Sequence, residues 1–178
     1  MVNQAKVMPP PAKTTGMVKV IDGVYAYIGG NGQTNFGLVT TNDKPVIIDN
    51  DIRVRKPFIA GMRRITRKEA GLVLNTHHNF DHTADNAYYT KRGAISFGAD
   101  IVRKEMEREF ASGNWVKQMD GRGPTVRHLI GKLDIAPPMV TFENQIDICY
   151  GGQKFQMIYI DHCHTKGDAV VWMPERGV

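Results

Sequence analysis

Asn75-Thr76-His77-His78-Asn79-Phe80-Asp81-His82-Thr83 follows the apolar run Gly71-Leu72-Val73-Leu74, and its reading decides the fold. Three histidines and an aspartate fall within six residues, directly after a strand-like segment. Imidazole nitrogen and carboxylate oxygen both suit zinc, and imidazole also suits iron or manganese in mixed sites. A second cluster, Asp161-His162-Cys163-His164, follows the strand-like run that ends at Ile160. Five of the six histidines therefore sit in two short segments, and only His128 lies elsewhere. A single histidine is most often an ordinary surface or core residue. Imidazoles packed together repel when protonated, so grouping them gains little unless they share a partner. A metal ion is such a partner.

At these residues the chain resembles the metallo-β-lactamase superfamily of metal-dependent hydrolases. The family signature is His-x-His-x-Asp-His at a strand end, usually after Thr. Thr76-His77-His78-Asn79-Phe80-Asp81-His82 matches it except that Asn79 stands where the second His is expected. Asn86 is similar to the asparagine that often follows the signature. His164-Thr165-Lys166-Gly167-Asp168, with Ala169 to Pro174 behind it, is similar to the family's His-Thr-x-Gly-Asp segment before a strand and a proline. Asn35-Phe36-Gly37-Leu38-Val39 and Val46-Ile47-Ile48-Asp49 are similar to the opening strands, with Asp49 at the place of an acidic residue that supports the metal loop.

The resemblance implies an α/β (α+β) fold, the αββα sandwich of metallo-β-lactamase type. The chain would hold its N-terminal half and the start of the second half. It implies metal ligands at His77, Asn79, Asp81, His82 and His164. Asp81 would also orient the attacking water, and Asp49 would support the ligands from behind. The implied cofactor is zinc, one or two ions, with iron or manganese as alternatives. The chemistry is hydrolysis of an ester, lactam, lactone or related bond in a small-molecule substrate. Asn79 can ligate through its amide oxygen, leave its position to water, or mark a degraded site. His78 neighbours His77 in an extended segment, where adjacent side chains point opposite ways. A metal-binding module without turnover and a metal-dependent nuclease are the competing readings.

Composition bounds the rest. With 178 residues and 42% hydrophobic content, the chain fits one globular domain. Residues 1–16 read as a flexible leader and 17–178 as the domain, expected to be C-terminally incomplete. An incomplete sandwich would leave one sheet face uncovered, so self-association over that face is expected. The formal charge is +5. Arg53, Arg55, Lys56, Arg63, Arg64, Arg67 and Lys68 carry much of it and read as a solvated helix face rather than a nucleic-acid surface. Two cysteines make no disulfide framework. Cys149 reads as a small buried hydrophobe. Without a secretory signal or a membrane-length apolar run, a cytoplasmic location is expected.

The periodicity predicts a hairpin over 17–28, strands over 36–41, 46–49 and 72–75, and a helix from about 54 to 68. A helix over 84–91, a strand over 94–97 and a helix over 99–110 follow. Residues 111–138 read as an irregular segment that covers a pocket. Met139–Phe142, Ile146–Tyr150 and Gln153–Ile160 read as a meander, and Val170–Met173 as the closing strand.

Overall fold

The structure is a computed structural model that describes residues 15–29, 34–120 and 127–178. The expected leader through residue 14 and residues 121–126 of the segment expected to cover a pocket lie outside the described residues.

Strands β1 (Gly16–Ile21), β2 (Val24–Ile28), β3 (Phe36–Val39), β4 (Val46–Ile48), β5 (Leu72–Leu74), β6 (Ile95–Ala99) and β7 (Val140–Phe142) form one sheet in sequence order. The first four pair antiparallel; β4 to β7 run parallel. Strands β8 (Gln145–Tyr150), β9 (Gln153–Tyr159) and β10 (Ala169–Trp172) form a second, antiparallel sheet in the order β10-β9-β8. Helix α1 (Arg55–Ile65) joins β4 to β5; α2 (Phe80–Thr83) and α3 (Asn86–Thr90) lie between β5 and β6. Helices α4 (Asp100–Ala111) and α5 (Asn114–Asp120) follow β6.

Alternation along the parallel strands sorts side chains into two cores. Ile47 and Val73 face Phe58, Ile59 and Met62, the apolar stripe of α1. Val46, Leu72 and Leu74 face the other way, toward Phe155, Met157 and Ile148 of the small sheet and Val102 and Met106 of α4. Helix, sheet and sheet thus stack in layers. The outer face of the small sheet carries exposed Val170 and Trp172.

Three expectations need correction. Val140–Phe142 does not open a meander; it pairs parallel with β6, because α4 and α5 carry the chain back across the large sheet before the second sheet begins. The helix expected over 84–91 is shorter, α3 at Asn86–Thr90, because Ala84 and Asp85 form a turn that separates it from the additional short helix α2. Cys149 is exposed, since Ile148 is the inward member of β8 and its neighbour must point outward.

Candidate metal centre

The site is built at the carboxyl ends of β4 and β5. Parallel pairing sets Ile48 beside Leu74, so the residues that follow each strand emerge together. The Asp49 N–H donates to the Leu74 carbonyl at 2.9 Å. Asp49 then turns with φ 60, a left-handed conformation that aspartate tolerates better than most residues. This turn brings its buried carboxylate to the neighbouring loop. Oδ1 accepts the Thr76 N–H at 2.8 Å, while Oδ2 accepts the Thr76 hydroxyl at 2.6 Å and contacts His82 Nδ1 at 2.8 Å.

These contacts fix the protons on both imidazoles. The Thr76 hydroxyl gives its only proton to Asp49, so toward His77 Nδ1, 3.0 Å away, it can only accept. His77 Nδ1 therefore carries the proton and Nε2 bears the lone pair. That Nε2 is buried and has no hydrogen-bond partner among the described residues. His82 likewise presents Nδ1–H to Asp49. The two rings lie 3.9 Å apart between centroids. Ligand atoms of Asp49, His77 and His82 all fall within 4.8 Å of one another, a group able to hold a metal ion.

The two histidines differ electrostatically. Burial, then repulsion from His82, lowers the pKa of His77 to about 4, so its imidazole is neutral near pH 7. Burial works against a charged His82 as well, but its hydrogen bond to Asp49 and the charges of Asp49, Asp81 and Asp51 outweigh this and raise its pKa. An orphaned, neutral, lone-pair-bearing nitrogen beside an acid-backed imidazole is the donor chemistry that a divalent transition ion takes.

Beneath the loop three buried amides form a closed network. Asn50 Nδ2 donates to Asn86 Oδ1 at 2.7 Å, and Asn86 Nδ2 donates to Asn75 Oδ1 at 2.8 Å and to the Ala136 carbonyl at 3.0 Å. The Asn50 N–H and Asn75 Nδ2 both donate to the His82 carbonyl, at 3.0 and 3.3 Å. The segment before β7 is thereby tied to the histidine loop.

The second histidine segment approaches through the Ala169 N–H, which donates to the Thr76 carbonyl at 2.8 Å. His164 lies at the edge, its ring centroid 5.4 Å from that of His77. Its Nε2 is 3.2 Å from Asn79 Nδ2, so Asn79 and His164 face each other. Asp168 gathers this loop, accepting the N–H groups of Cys163, His164 and Thr165 on Oδ2 and the Thr165 hydroxyl on Oδ1 at 2.6 Å. Burial alone would raise its pKa, yet these donors hold it at about 2. His162 and Cys163 are exposed.

Asp81 turns to a different set of partners. Its Oδ2 accepts the Thr34 hydroxyl at 3.0 Å and lies 3.8 Å from Arg53 Nη2. Thr34 carried no signal in the sequence; the Asp51-x-Arg53 spacing was the only trace of the arginine's role. His78 points to the opposite side of the loop, as alternation requires, with Nε2 3.7 Å from Glu109 of α4. Tyr89 packs in the core beside α1, and Tyr88 lies under the guanidinium groups of Arg55 and Arg92, at 4.6 and 3.7 Å from its ring centroid. A groove of about 730 Å³ between β1, β2 and α1 contains none of the histidines.

Residues 29–178 match the metallo-beta-lactamase superfamily. The chain belongs to that superfamily. Among curated proteins none matches its sequence. Among solved structures it is similar to a metallo-beta-lactamase from Pontibacter korlensis, with a TM-score of 0.62 and 16% identity over 91% of this chain and 68% of that one. A stereoselective inverting sec-alkylsulfatase from Pseudomonas sp. gives a TM-score of 0.69 and 13% identity over 90% of this chain and 30% of its own length. A flavo di-iron protein variant from Thermotoga maritima gives 0.63 and 14%, over 90% and 40%. The metallo-β-lactamase fold is thus shared, and the chain spans under half the length of the latter two proteins. Among the described residues, no helix is long and apolar enough to cross a membrane.

Proposed function

We propose that the chain is a metal-dependent hydrolase whose metal sits on His77 and His82, with Asp49 fixing both rings. The observation that carries this reading is the buried, unpartnered Nε2 of His77 beside His82. Asp49 backs His82 directly and His77 through the Thr76 hydroxyl, an arrangement that locks ring orientation and tautomer. His164 and Asn79 border the same opening from its exposed rim. Zinc suits a pair of imidazole nitrogens best, with iron and manganese as alternatives.

A bound ion would supply Lewis acidity, lowering the pKa of water and polarising the bond to be cleaved. The chain's own groups do the rest. Asp81, held by Thr34 and partly open to solvent, orients the attacking water and takes its proton. Asp49 keeps the proton on His82 Nδ1 and so leaves Nε2 as the ligating atom.

The substrate is a small molecule with an ester, lactam, lactone or related bond. The similar solved proteins carry the names of a lactamase, a sulfatase and a flavo di-iron protein, so fold alone does not choose among them. A second reading, a metal-binding module without turnover, draws on Asn79, whose amide faces His164 where an imidazole would be expected to face the ion.

The test is metal content per chain after incubation with zinc, iron(II) or manganese, followed by assays on ester, lactam, lactone and sulfate-ester probes. Stoichiometric metal with chelator-sensitive turnover is the expected result. Metal without turnover supports the binding module, and absence of metal overturns the proposal.

A further inference from the structure

Arg53 is the charged group next to this site that its chemistry has not yet used. It lies within the 3-10 turn at Ile52–Val54, yet its side chain is only 5% exposed. The expectation of a solvated cation is therefore wrong for this residue. Asp51 holds it: Asp51 Oδ1 accepts the Arg53 N–H at 2.8 Å, and Oδ2 accepts Nε–H at 2.7 Å and pairs with Nη2. The guanidinium also lies over the Phe80 ring, 5.1 Å from its centroid. Its Nη2 stands between the carboxylates of Asp51 and Asp81.

Charge balance gives this placement a consequence. Three carboxylates surround the His82 side of the loop: Asp49, Asp51 and Asp81. One guanidinium faces them. That guanidinium already faces Asp81, so an ion placed on Asp81 would be set against a fixed positive charge. A second divalent ion there would repel the guanidinium at close range in a half-buried site, and uncompensated charge in such surroundings is costly. Asp168, the other carboxylate close to His77, keeps its charge but turns both oxygens to three backbone N–H groups and the Thr165 hydroxyl. Asp85 is matched by its own partner, Arg55.

We propose that the Arg53 guanidinium serves as a built-in cation beside Asp81, taking the charge role of a second metal ion, so that the loop binds one divalent ion per chain. The inference rests on the metal-site reading above. It makes Asp81 a water-orienting carboxylate rather than a ligand, and makes Arg53 and Thr34 its positioning residues. The guanidinium is held by Asp51 and stacked on Phe80, so it cannot leave as a metal ion can.

The test is zinc content per chain, measured on the whole protein after loading and removal of loose metal. Wild type is expected to retain about one ion. Asp81→Asn is expected to retain about one as well. Arg53→Met, which frees Asp51 and Asp81, is expected to rise toward two. Two ions on wild type overturn the inference while leaving the metal site standing. Loss of the ion in Asp81→Asn overturns it by making Asp81 a ligand. A folded Arg53→Met that still holds one ion overturns it too, and if that variant does not fold, wild type and Asp81→Asn decide. No ion on wild type removes the metal-site reading itself, and this inference with it.

Discussion

The two histidine segments sit side by side but are built on opposite principles. The loop after β5 buries His77 and His78, leaves His82 partly buried, and supports its imidazoles from the strand ends: Asp49 from one side, three amides from below. The loop before β10 leaves His162, Cys163 and His164 exposed and is organised through its backbone, by the one carboxylate of Asp168. Burial in the first makes His77 neutral and leaves its Nε2 without a partner. Exposure in the second lets water and Asn79 satisfy His164. Metal affinity should therefore concentrate in the first loop, and the second should shape the rim.

The sharpest attempt to break this contrast is His77→Ala. Removing the unpartnered nitrogen should weaken zinc binding by more than about 100-fold, beyond the range usual for changes behind the ligands. Competition with a chromophoric chelator measures it. Asp49→Asn keeps the shape but loses the acceptor that fixes both rings, and should cost about 10–100-fold in the same assay.

The pH dependence follows from His82. Its pKa lies above the ordinary value, so protons compete for its Nε2 near neutrality, whereas His77 does not compete until about pH 4. Zinc affinity should fall by about tenfold per unit as pH drops below the His82 pKa. The same shift has an opposite sign for the metal-free fold. A charged His82 stabilises it, fully so below about pH 6.5, and that contribution fades as pH rises through the raised pKa. Denaturation of metal-free protein across neutral pH checks the sign.

In the second loop, Asp168→Ala should act on stability before metal. It leaves three N–H groups and the Thr165 hydroxyl without their acceptor, a loss of about 1–3 kcal/mol on chemical denaturation. Its depressed pKa adds that this contribution is present above about pH 4 and is lost as the carboxylate protonates toward pH 2. The smallest change is expected for His164→Ala, at less than about tenfold in zinc affinity, since this residue stands at the exposed edge. A loss as large as that of His77→Ala would erase the distinction between the two loops.

Much of this architecture was legible in the residues themselves. Apolar runs ending in polar clusters marked β4, β5 and β10, and the family resemblance implied the support that Asp49 gives the loop. Alternation placed His78 on the far side of His77, and its contact with Glu109 agrees. Arg53 was misread because charge along the chain does not report tertiary pairing; only the fold sets it between Asp51 and Asp81. The strand at Val140–Phe142 was assigned to the wrong sheet for a similar reason. A run of β-formers records that a strand exists, whereas its partner depends on how the helices before it cross the sheet. Thr34 and the Ala136 carbonyl reach the site over long sequence separations that no local spacing reveals.

The most direct test of the central claim is a zinc titration followed by the ring nitrogen resonances of ¹⁵N-labelled histidine. The account predicts that Nε2 of His77 and Nε2 of His82 shift together and saturate at one equivalent, while both Nδ1 atoms keep their protons. Resonances of His77 that stay unmoved as zinc binds elsewhere would contradict it.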